Sequence, residues 1–177
     1  MIGKSTRNLL WLIGVLCVSG CNIAESNEVI ILLPGQIGGK PLVLGQTSTS
    51  QVFVITHGAG GHMVVPSKIL RVWWNDKIII TENHPMKPRN KFPGDSYEVP
   101  DRTQVCWYLV DLRNDDVRRF QDYKLLSSYM EAIGVDPSQA DLMNLRDAQR
   151  LREKELGFKF TPQSVNRFLR SGNTSPK

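Results

Sequence analysis

KILRVWWNDKIIIT, residues 68–81, reads as two strands joined by a tight turn, and the rest of the fold can be worked outward from it. The runs 69–74 and 77–81 are rich in the β-branched and aromatic side chains that suit a pleated surface. Asn75 and Asp76 between them are turn formers. Upstream, 28–33 is a Val/Ile/Leu run stopped by Pro34-Gly35, and 41–44 follows the Gly38-Gly39 turn. Runs 52–56 and 63–65 flank the turn Gly58-Ala59-Gly60-Gly61. Downstream, 103–112 resumes the strand pattern, and 113–116 turns the chain into a short partner at 117–120. The succession is that of an antiparallel meander.

Composition changes between Asn83 and Asp101, where prolines at 85, 88, 93 and 100 stand among Lys, Arg, Asn and Gly. This predicts an exposed loop. Helices follow. Asp122 is placed to cap the first, with Leu125, Leu126, Tyr129, Met130 and Ile133 on one face and Gly134 at its end. Asp136, Pro137 and Gln139 form a second helix start, for a segment running to about Leu156 with Leu142, Leu145, Ala148 and Leu151 inward. Thr161-Pro162 opens a short third helix containing Val165, Phe168 and Leu169. Strands first and helices later give the class α+β: an antiparallel β-meander packed against two or three C-terminal helices.

The amino terminus is of another kind. Lys4 and Arg7 make a positive region, residues 9–18 a ten-residue apolar stretch, and Ser19 and Gly20 precede Cys21. A spanning helix needs about 20 apolar residues, so this run is too short. It has the layout of a cleaved signal peptide. Val18-Ser19-Gly20-Cys21 resembles the bacterial lipobox, which implies diacylglycerol on the Cys21 sulfur, cleavage before Cys21 and, usually, acylation of the new amino terminus. The expected organisation is a signal peptide over 1–20, a polar tether over 21–27, one domain over 28–170 and a disordered tail over 171–177. Two or three acyl chains retain a protein stably where one does not. The expected location is therefore a membrane of the bacterial envelope. In a host with two membranes, Asn22 after Cys21 resembles the default for the outer one.

The full chain has 22 basic and 17 acidic residues, and losing Lys4 and Arg7 would leave a formal balance of +3. So mild an excess, on an exported protein, argues against nucleic acid as a partner. Of three cysteines, Cys17 would leave with the signal and Cys21 take lipid, so Cys106 has no partner for a disulfide. Lying between Val105 and Trp107, it reads as a buried and inert thiol.

Residues 68–80, then Trp107-Tyr108-Leu109-Val110-Asp111 and a hairpin leading to a helix, resemble a family of small uncharacterised bacterial lipoproteins. The shared features are a Trp-Asn/Asp-Asp turn between two strands, a later aromatic strand ending in Asp, and an amphipathic helix. The resemblance implies a lipoprotein with this core and no particular reaction.

Few residues invite chemistry. His57 and His62 bracket a glycine loop and are weak metal candidates, since a site needs three or four ligands and His84 is the only other histidine. A hairpin tip accounts for the glycines more simply. The loop is similar to the His-Gly-Gly-Gly oxyanion segment of esterases, but no Gly-x-Ser-x-Gly elbow accompanies it. Residues 35–41 lack the spacing and the Ser/Thr of a phosphate loop. Asp115-Asp116 belong to a turn, and Arg146, Arg150, Arg152 and Lys154 to a solvated helix face. Trp73 and Trp74, adjacent on a strand, point to opposite faces. With Lys87, Arg89 and Lys91 they form the candidate interaction patch for an envelope protein. The expected role is non-catalytic, an accessory or binding lipoprotein held by Cys21 and without a cofactor. The alternative is a small hydrolase or metal-binding protein using His57 and His62. The sequence leaves oligomeric state open.

Overall fold

The computed structural model describes residues 29–48, 51–66, 68–89 and 97–171. The expectations for the signal peptide, Cys21, the tether, Lys91 and residues 172–177 lie outside them. The four Val/Ile/Leu runs before residue 66 form one antiparallel sheet in chain order: β1 (Ile30–Ile37), β2 (Lys40–Ser48), β3 (Gln51–Thr56) and β4 (Met63–Val65). Contrary to the stop expected at Pro34-Gly35, β1 runs through them to Ile37 across a bulge between Leu32 and Gln36. Proline lacks a ladder donor and is tolerated at such an irregularity. Gly35 there has φ +77 and lies against Leu112.

The hairpin read from residues 68–81 is β5 (Ile69–Trp74) and β6 (Ile78–Asn83). Its turn is fixed by Asn75, whose Oδ1 accepts from the backbone N–H groups of Lys77 and Ile78, both at 2.8 Å. A small ribbon follows, β7 (Met86–Pro88) with β8 (Glu98–Pro100), inside the segment read as loop. Then come β9 (Cys106–Asp111) and β10 (Asp116–Phe120). A two-residue strand, β11 (Met143–Asn144), completes a second sheet in the order β10-β9-β6-β5-β11.

Three helices close the fold. Asp122 caps α1 (Tyr123–Ala132) by accepting from Lys124 N–H. The second helix starts later than expected: Asp136 caps only a 3-10 turn (Pro137–Gln139), and Asn144 caps α2 (Leu145–Leu156). Thr161 and Ser164 form a reciprocal capping box on α3 (Pro162–Arg170).

Every residue of β6 is buried, because the second sheet is covered on both faces. Ile79 joins Val72, Val110 and Trp74 in a core shared with the first sheet and with Ala148, Phe160 and Val165 from the α2–α3 region. Ile78, Ile80, Leu109 and Trp73 form a second core under Leu126 and Met130 of α1. The α+β class stands, with two sheets face to face and α1 on the outer face of the second. Full burial of a side chain such as Ile79 contributes about 1.5–3 kcal/mol. Among the described residues no helix is long and apolar enough to cross a membrane.

Candidate functional site

The glycine loop between His57 and His62 is a tightly closed hairpin tip. Thr56 N–H donates to the His62 carbonyl at 3.0 Å, and His62 N–H donates to Thr56 Oγ1 at 2.9 Å. Lys40 projects its ammonium onto the loop, donating to the carbonyls of Ala59 and Gly60 at 2.9 and 3.0 Å. A cation already seated there opposes a second one. His62 Nδ1 lies 3.3 Å from Thr56 Oγ1, His57 Nε2 lies 3.2 Å from Asn166 Oδ1 on α3, and His84 Nδ1 donates to the Gln104 carbonyl at 2.8 Å. Among the described residues no three His, Cys, Asp or Glu side chains gather where a metal ion would sit.

The carboxylates are similarly occupied by structure. Asp115, at φ 55, accepts from Gly38 N–H at 2.9 Å, and Asp116 pairs with Arg118 at 2.6 Å. Buried Asp111 accepts from Arg113 at 2.6 and 2.9 Å, and that guanidinium holds its carboxyl below the usual range. Glu153 is buried between α2 and α3. Burial pushes its carboxyl up, but Phe160 N–H at 2.8 Å, Lys159 and Gln149 outweigh this and leave it lowered. Cys106 is buried, and burial pushes its thiol up against the opposing influence of Arg119.

Of the sequence-predicted patch, Trp73, Trp74, Lys87 and Arg89 lie among the described residues. Register pairs Trp73 with Ile80 and Trp74 with Ile79, so the two rings enter opposite cores and each is partly buried. Lys87 lies on the ribbon, paired with Asp101 at 3.1 Å. Arg89 sits 5.0 Å above the ring of Tyr97. Asp101 is held at about 2 by the Thr103 hydroxyl, then by Lys87 and the Thr103 N–H.

A different surface stands out where the ribbon meets the first sheet. Gln51 and Phe53 of β3, Met63 of β4, Pro66, Met86 of β7, Tyr97 and Glu98 line an open groove of about 470 Å³. Met63 is 55% and Tyr97 69% exposed, unusually high for residues of their size. Sequence reasoning missed this groove, since its lining comes from four separated stretches; the solvent-facing position of Phe53 in the alternating 51–56 run was the legible part of it.

Residues 42–145 match a family described as protein of unknown function (DUF3997), which is more than half of the 177-residue chain. The chain belongs to this family. The DUF3997 match opens within β2 and closes at the first residue of α2, so it spans both hairpins of the second sheet, the ribbon and α1. No curated protein and no solved structure matches the chain.

Proposed function

We propose that the protein is a lipid-anchored envelope lipoprotein that acts by binding, as an accessory factor, and without catalysis. The observation that carries the anchor is the order of residues 1–21: two cations, a ten-residue apolar run, two small residues and then Cys21. Two features of the domain favour binding. The imidazoles and buried carboxylates described above are each engaged by a structural partner, backbone or side chain, and the groove at the ribbon is open and lined mainly by apolar side chains. A catalytic centre calls for convergent polar groups in a concave pocket.

Expression of the full chain in a bacterial host with radiolabelled fatty acid tests the anchor. The expected result is incorporation of label, a mature amino terminus at Cys21 carrying diacylglycerol by mass spectrometry, and loss of both in Cys21→Ser. A bare thiol at position 21, or a Cys21→Ser variant that matures and fractionates unchanged, overturns it.

A further inference from the structure

The first sheet has two distinct ends, and the strand register says which one the anchor enters. Gln46 N–H donates to the Val29 carbonyl at 3.1 Å, Ile30 pairs with Gly45, and Gly45 pairs with Phe53. The first described residue therefore lies two strand spacings, roughly 10 Å, from the start of β3. The end of β4 is here as well, through Val65 and Pro66, and so is the ribbon, whose Met86, Tyr97 and Glu98 share the groove with Gln51 and Phe53; Met63, paired with Ile55, is its far edge toward the glycine loop. At the opposite end lie the β1–β2 turn, the glycine loop and the Asn166 side of α3, joined by His57 N–H to the Pro41 carbonyl at 2.8 Å and by the His57–Asn166 contact.

We propose that the grooved end is seated on the bilayer, with Met86 and Tyr97 in the interfacial layer and the basic residues Lys87 and Arg89 among anionic headgroups. This rests on the lipid anchor at Cys21. Seven residues separate Cys21 from Val29. Fully extended, that connection spans at most about 28 Å, so the grooved end cannot be carried far from the membrane. The groups presented there are those an interface takes up: an exposed tyrosine with an apolar body and a polar tip, and a half-buried, flexible thioether. Arg89 stacked on Tyr97 presents cation and ring together. Lys87 shares its charge with Asp101, and Glu98 in the lining opposes anionic lipid, so the apolar side chains, more than net charge, are what the seat depends on.

The test uses the mature, acylated full chain carrying Tyr97→Cys, labelled with the environment-sensitive fluorophore NBD and reconstituted into protein-free vesicles of phosphatidylethanolamine and phosphatidylglycerol. Lipid occupies the Cys21 sulfur and Cys106 is buried, so the dye is directed to position 97. Met86→Cys is a second labelling site should the first disturb the ribbon, and Gln163→Cys on α3 is the control from the opposite end. The expected result is a blue shift of NBD emission at 97 or 86 and its loss when spin-labelled lipid is included, with neither change at 163. Equal responses at both ends overturn the seat, as does a shift at 97 that appears only when other envelope proteins are added, which would assign the groove to a protein partner. Mass spectrometry of the Cys21 peptide separates the two readings. Diacylglycerol at Cys21 with an aqueous probe at 97 refutes the seat and leaves the anchor standing, whereas a bare thiol at 21 refutes both.

Discussion

At Gly61 a side chain is excluded by the loop's own backbone: a Cβ would run into the Thr56 carbonyl oxygen and press on that of Gly58 at 3.2 Å. The same few residues close the loop through the paired bonds between Thr56 and His62, so the chain cannot yield there without breaking them. Gly61→Ala is therefore expected to destabilise the fold by about 1–3 kcal/mol, as overpacking in a fixed frame does. Urea unfolding measures it, and an unchanged midpoint would mean that the tip is free to relax. This reading gives the His-Gly segment a structural reason to exist, with Lys40 as its fastening. The glycine pattern foretold a hairpin tip, but Lys40, 19 residues from Ala59, was invisible in sequence because its contact is made only when β2 lies beside β3.

At the scale of elements, local chemistry was legible and long-range partnership was not. Asn75 fixes its turn and Asp122 caps its helix because each acts within three residues, a range that sequence reports directly. The second sheet was hidden behind a single meander pattern. Ile78-Ile79-Ile80 held the clue, since three successive apolar residues on a strand imply cover on both faces. In α2 the inward stripe is Leu145, Ala148, Arg152 and Leu156, with Glu153 buried beside it; Leu145 and Ala148 face inward as expected, while Leu151, expected inward, is exposed. Arg152, read as part of a solvated face, is buried and donates from Nε to the Leu32 carbonyl at 2.8 Å and from Nη1 to Glu155 at 2.6 Å. It pins α2 to β1 beside the bulge, where the regular ladder lapses. Arg152→Ala should cost about 1.5–3 kcal/mol, the range for a hydrogen bond to a charged group. Hydrogen exchange should quicken in β1 around Leu32 and in α2 before it does so in α1. Uniform loss of protection across the molecule would show that Arg152 has no local docking role.

For the molecule as a whole, the ionisable groups that folding perturbs set a window of stability in pH. Asp101 at about 2, and Asp111 and Glu153 held below their usual range, bind protons less readily in the folded chain than unfolded, where Asp and Glu titrate near 3.9 and 4.3. Each contributes stability that is fully present above the unfolded value and is lost as pH falls through its folded value, which for Asp101 is about 2. Cys106 and Tyr108 act in the opposite direction. Burial pushes both up, so each contributes stability that is present below its unfolded value, about 8.5 for Cys and 10 for Tyr, and declines as pH rises past it. The urea midpoint should accordingly be flat between about pH 5 and 8 and fall on both sides. The two flanks belong to different parts of the fold: the acidic one to the ribbon, the β9–β10 turn, the 3-10 turn capped by Asp136 and the α2–α3 junction, the alkaline one to alternate positions of β9. Asp101→Asn should lower the plateau and lessen the acid slope with the alkaline side unchanged, because it removes a charge held by Thr103 and Lys87. Cys106→Ala should lessen the alkaline slope alone. A single variant that moved both flanks together would contradict this division, since it would require one coupled set of charges where the structure places two separate ones.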